Sequence, residues 1–198
     1  VAAFHRPAVV FARPVAQLRP APEQPASARA VRSGLPAHGR LRCAVNYVGF
    51  RLAGEPFNLS ATVIGLLFTV YLLGIFSAGW AGRLVPRFGA RQVLNGGIGL
   101  MLLGVALCAA PWLSAAVVGL ALFTLGFFAA HAVASGQVGI HAQGAKAQAS
   151  ALYLCAYYLG SSLVGYVGGY VWEHAGWLAL LGVLASLFIL ASALVRRI

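Results

Sequence analysis

The chain has 198 residues and a formal net charge of +11, yet only 9% of its residues are charged and 61% are hydrophobic. A soluble domain of this size cannot hide that much apolar surface, whereas lipid solvates it. Eight of the fourteen basic residues precede Leu52 and the others sit at the ends of apolar runs; that distribution belongs to membrane topology and not to a phosphate-tracking groove, so no nucleic-acid partner is expected.

Residues 1–42 carry six of the nine prolines and seven arginines. No apolar stretch there is long enough to cross a bilayer or build a core, and the composition predicts disorder. Arg6, Arg13 and Arg19 interrupt every candidate apolar core of a secretory signal. Because the chain opens on Val1 and passes abruptly into membrane sequence, this segment reads as an out-of-frame or truncated start. The functional alternative is a basic tail touching anionic lipid.

From Cys43 the character changes. Residues 43–52 resemble the last turns of a helix whose beginning is absent. Gly54, Glu55 and Pro56 make a turn, after which Asn58 or Ser60 offers an N-cap. Long uncharged windows follow, the longest being the fifty-four residues from Gln92 to Ala145. A helix needs about 20 apolar residues to cross the hydrocarbon core, so the windows predict five spans at about residues 61–82, 93–110, 113–135, 149–172 and 176–195. The fold class expected is an all-α, multi-pass membrane protein whose principal partner is the lipid bilayer.

Between the first two spans lies a basic loop containing Gly82, Arg83, Arg87, Gly89 and Arg91. Its arginines suit anionic headgroups, and Gly89 suits a turn that needs positive φ. Short loops sort Arg83, Arg87, Arg91, Lys146, Arg196 and Arg197 onto one face, and the Pro111 and Glu173–His174 turns onto the other. The positive-inside rule makes the first face cytoplasmic, with the C-terminus on it. The arginine-rich head would then precede an outside-to-inside span. A complete helix ending near Leu52 would remove that conflict, so the charge pattern implies a further span and six helices in all.

Within the spans, His131 is the ionisable residue of most interest, a candidate to carry a coupling proton or bond a substrate; the alternative is a neutral histidine bonded to a neighbouring helix. Tyr153 and Tyr157 share a helix face, with Tyr158 and Ser161 adjacent. Tyr153 lies close to the cytoplasmic end and reads as an interface anchor, while Tyr157 and Tyr158 read as cavity residues. Asn95 is a further cavity candidate, or a helix–helix hydrogen bond. Trp112, Trp172 and Trp177 fit an outer aromatic belt and Trp80 an inner one. The pairs Gly165/Gly169, beside Gly168, and Ala78/Gly82 place small residues four apart, where helix backbones can approach closely.

The only acidic residues, Glu23, Glu55 and Glu173, lie outside every span, and Cys43, Cys108 and Cys155 have neither metal nor disulfide spacing. No nucleophile elbow, phosphate-cradling loop or paired carboxylate is present. No enzyme, cofactor or metal is therefore expected, and proton coupling would fall to His131 or to groups outside this sequence.

The stretch from Gly79 through Gly82, Arg83, Pro86, Arg87, Phe88 and Gly89 to Arg91 resembles the major facilitator superfamily (MFS) signature, which joins the second and third helices of each half. The runs Asn46–Leu52, Gly126–Ser135 and Ala149–Ser162 extend the resemblance to the second half of bacterial inner-membrane exporters of that superfamily. It departs at Pro86, which stands where the family carries an acidic latch residue. The resemblance covers about residues 43–198 and implies helices seven, by its end only, to twelve of a twelve-helix secondary transporter. A small-molecule substrate would sit between this half and a missing N-terminal half, with possible proton coupling and no transport by this chain alone. The competing reading is a non-transporting membrane subunit or assembly protein that packs through Gly165 and Gly169.

Overall fold

The computed structural model describes residues 40–142 and 145–196. The disorder expected of residues 1–42 lies outside them for residues 1–39, as does Arg197; Arg40 already begins the first described helix, α1 (Arg40–Ala53). Four longer helices follow: α2 (Ala61–Phe88), α3 (Ala90–Cys108), α4 (Leu113–His141) and α5 (Lys146–Val195). All four are long and apolar enough to cross a membrane, and there is no strand among the described residues.

Ser60 is the N-cap of α2, its hydroxyl accepting from the Val63 N–H at 3.4 Å. The helix tightens to 3-10 geometry over Phe68–Leu72 and then runs on to Phe88, six residues beyond the predicted span end at 82. Arg83 and Arg87 therefore ride the last turns of a helix instead of a loop. Pro86 is tolerated inside that last stretch, and the link to α3 is Gly89 alone, at φ 83°. That left-handed φ is the reason a glycine stands there.

The helix α3 packs antiparallel on α4 through two reciprocal glycine pairs, Gly97 with Gly126 and Gly104 with Gly119. A Cβ added at Gly104 would lie 2.5 Å from the Gly119 carbonyl oxygen, and one at Gly126 would lie 2.4 Å from that of Gly97. Only hydrogen fits in these places, so the backbones meet directly, as small residues permit in lipid. On the other side of α4, Gly74 of α2 makes room for the Phe128 ring, and the Ser77 hydroxyl donates to the Leu125 carbonyl.

The 50 residues of α5 would extend about 75 Å as one helix, far more than the ~30 Å of a hydrocarbon core. The backbone breaks at Gly176, with φ 76° and ψ −171°. The two pieces fold against each other: Leu163, Val164, Val167 and Gly168 line one small cavity with Leu180, Val183, Leu184 and Leu187, residues nearly equidistant from the break. Four helices of crossing length thus cover the five predicted ranges, the last two ranges falling within one helix, with the reversal at Gly176 instead of at Glu173–His174.

The final piece, 177–195, returns along α3. Trp177 Nε1 donates to the Cys108 carbonyl at 2.8 Å at one end, and Ser192 Oγ donates to Asn95 Oδ1 at 3.0 Å toward the other. Between them Leu180, Leu184 and Phe188, each 0% exposed, pack with Met101, Phe123 and Phe127 as the centre of the core. This weave collects Arg83, Arg87, Arg91, Lys146 and Arg196 at one end of the bundle and Arg51, Glu55 and Glu173 at the other.

Candidate functional site

Two i, i+4 pairs on facing helices build the centre. On α4, Phe127 and His131 stack at 5.7 Å between ring centroids, 13° from parallel. On α5, Tyr153 and Tyr157 present to them: the Tyr153 hydroxyl lies 3.1 Å from His131 Nδ1, and the Tyr157 ring lies 5.4 Å from the imidazole. The spacing puts each pair on one face of its helix, and the antiparallel approach of α4 and α5 interleaves them. Tyr153 is 3% exposed, which overturns its expected place at the membrane interface; it holds the histidine. His131 and Tyr157 are half-buried.

Aromatic contacts carry the cluster outward in two directions. Phe127 meets Phe128 edge-on, and Phe128 meets Tyr71 of α2 in the same way at 6.3 Å. On the other side Tyr157 meets Tyr158 edge-on at 5.1 Å. Tyr158 heads a row that residue-by-residue inspection of the sequence missed: Tyr158, Ser162, Tyr166, Tyr170 and His174, each four after the last and all exposed. Tyr166 is 82% exposed. Tyr170 stacks on His174 at 4.1 Å, and His174 Nδ1 donates to the Tyr170 carbonyl at 2.9 Å. The row spans about 24 Å of helix. Interface anchoring accounts for tyrosines at the two membrane surfaces only, whereas this row runs between them, with the Ser162 hydroxyl donating to the Tyr158 carbonyl at 3.0 Å. The signal in the sequence was the unbroken i+4 repeat of hydroxyl and imidazole side chains.

The other predicted residues fall elsewhere. Asn95 bonds Ser192 across α3 and the last piece of α5, away from the cluster. Among the described residues, the glycines of the predicted small-residue pairs make no close backbone contact with another helix. A Cβ at Gly165 or at Gly82 would meet nothing within 4 Å, and one at Gly169 would meet only the Tyr47 side chain, whose hydroxyl lies 2.7 Å away. Tyr47 also donates to the Gly165 carbonyl at 3.2 Å and stacks on Trp172, so Gly165 and Gly169 form the seat of a tyrosine from α1. Ala78 is half-buried on α2, and Arg83, Arg87, Gly89 and Arg91 are exposed at the basic end.

Residues 44–198 match the family model of the Major Facilitator Superfamily. Among curated proteins, the chain is 39% identical over 146 residues to the uncharacterized MFS-type transporter YybF of Bacillus subtilis, covering 74% of this chain and 36% of the relative. It is 40% identical over 146 residues to the inner membrane transport protein YnfM of Escherichia coli, covering 74% of this chain and 35% of the relative. An uncharacterized transporter of Buchnera aphidicola from Schizaphis graminum is 38% identical over the same length. The matched region thus spans about a third of the length of these relatives. No solved structure gives a significant match.

Proposed function

Because this chain belongs to the major facilitator superfamily, a family of membrane transporters, we propose that residues 44–198 are the C-terminal half of a secondary active transporter for a small molecule in a bacterial inner membrane. The observation that carries this reading is the hydroxyl- and imidazole-bearing row Tyr158–Ser162–Tyr166–Tyr170–His174, exposed along a crossing and joined through Tyr157 to His131. It serves as one wall of a water-accessible path, the second wall being the other half of the transporter. Alternating access follows from the two halves rocking about a substrate held near midplane. The basic end, with five cations and no acidic residue on the linking segments among the described residues, faces the cytoplasm together with the C-terminus. Arg83, Arg87 and Arg91 flank the cytoplasmic gate. No carboxylate stands within the crossings, so His131 is the coupling group this half contributes.

The two-walled path has a direct test. The region 44–198 and the full-length transporter that contains it are reconstituted separately in vesicles under a proton gradient. Saturable, gradient-driven uptake of a substrate taken up by the full-length protein is expected from that protein and not from the region alone. Uptake by the region alone would refute the two-walled path.

A further inference from the structure

One cavity takes no lining residue from α5, the helix that carries the tyrosine row. It is a groove of about 680 Å³ between α2, α3 and α4, floored by Gly96, Gly97 and Leu100 and walled by Phe76, Trp80 and Phe88. Its volume is that of a small-molecule site, but its lining is almost wholly apolar. Of its polar members, the Ser77 hydroxyl is already committed to the Leu125 carbonyl, which leaves Gln92 at the basic end. From Phe76 to Phe88 it runs about 18 Å along α2, close to the ~15 Å depth of one leaflet's hydrocarbon. It occupies the half of the crossing nearest the arginines. On the wheel of α2, Arg87 falls between Phe76 and Trp80, and its guanidinium sits 5.3 Å over the Phe88 ring, at the mouth of the groove. Arg83 and Arg91 are also exposed at this end of the bundle, and no acidic residue occurs between Glu55 and Glu173 to offset them.

We propose that this groove is a binding site for one anionic phospholipid of the inner leaflet, an acyl chain lying along Gly96 and Gly97 and the phosphate held by Arg87. The depth of the groove matches the chain, and the cations at its mouth match the headgroup. A zwitterionic lipid fills the same groove without the charge term, about 1 kcal/mol for each arginine at an anionic surface, or roughly fivefold in affinity. This site does not need the transport reading, but its assignment to the inner leaflet rests on the cytoplasmic placement of the basic end proposed above.

The test uses the full-length protein in detergent, titrated with phosphatidylglycerol or phosphatidylcholine and weighed intact by native mass spectrometry. The wild type is expected to retain phosphatidylglycerol about fivefold better than phosphatidylcholine. R87Q is expected to remove that preference, lowering phosphatidylglycerol retention more than phosphatidylcholine retention. G96L is expected to lower retention of both lipids. A Cβ at Gly96 meets nothing within 4 Å, so the added side chain enters the groove without disturbing the helices, and an unchanged melting temperature checks that it does. Equal retention of the two lipids by the wild type would overturn the proposal. So would an unchanged preference in R87Q, or a G96L variant that keeps its lipids. A G96L variant that changes oligomeric mass but not lipid retention would assign the groove to a protein partner and overturn it as well.

Discussion

Replacing Gly104 with leucine is expected to force α3 from α4 and to lower the stability of the bundle by roughly 3 kcal/mol or more, at the upper end of what overpacking costs. The cause is specific. The Cβ would sit 2.5 Å from one backbone oxygen and 2.8 Å from the backbone nitrogen of Phe123. Neither can rotate away as a side chain would. The only relief is to part the helices along a contact that Gly97, Gly119 and Gly126 also need closed. The same substitution at Gly82 meets no atom within 4 Å and is expected to change stability by less than about 0.5 kcal/mol. Alanine sharpens the contrast, because removing a helical glycine gains about 0.5–1 kcal/mol where space allows: G82A should be neutral or stabilising and G104A destabilising. Thermal unfolding in detergent measures all four. Equal melting temperatures for G82L and G104L would show that the glycine crossing is misplaced.

Replacing His131 with glutamine is expected to reduce gradient-driven transport by about tenfold or more while leaving substrate exchange at equilibrium largely intact. The imidazole is held from three sides: stacked on Phe127, in contact with the Tyr157 ring and bonded at Nδ1 by the Tyr153 hydroxyl. Glutamine keeps a hydrogen-bonding side chain of similar reach and loses the proton that the coupling reading requires. A tenfold loss corresponds to about 1.4 kcal/mol. The readout that separates coupling from packing is the ratio of net uptake to exchange. A variant that loses both equally is misfolded or cannot bind substrate, and one that keeps both shows that His131 carries no proton.

The crossings were legible because charge is the strongest signal a bilayer leaves in a sequence. Their ends were not. No charged residue separates the predicted end of the third span at 135 from the observed end of α4 at His141; Gln137 is the one polar side chain between them. The helix α2 overruns for another reason: the long side chains of Arg83 and Arg87 reach the headgroups from its last turns, so charge does not end the helix there. The glycine contacts escaped for a different reason. Four-residue spacing drew attention to Gly165/Gly169 and Ala78/Gly82, while the working contacts repeat at seven, Gly97 and Gly104 on α3 and Gly119 and Gly126 on α4. Seven-residue spacing keeps one face too, but which two faces meet depends on helix register, and a single sequence does not encode that locally. His131 was recognisable as an ionisable group within a span, whereas its partner Tyr153 came from another helix and had been assigned to the interface. Asn95 was visible as a polar residue, and only the fold gave it Ser192 instead of a cavity.

The account depends most on the tyrosine row facing water inside the membrane. In the full-length transporter, with Cys43, Cys108 and Cys155 replaced by serine, single cysteines are introduced at Tyr166 and Tyr170 on the row and at Leu103 and Ile189, which are 51% and 60% exposed on other faces. Cysteines at 166 and 170 are expected to react with a membrane-impermeant thiol reagent, and to react more slowly when transported substrate is present. Those at 103 and 189 are expected to stay unmodified in intact membranes. Cysteines at 166 and 170 as inert as those at 103 and 189 would place the row against lipid or protein and contradict the path proposed along it.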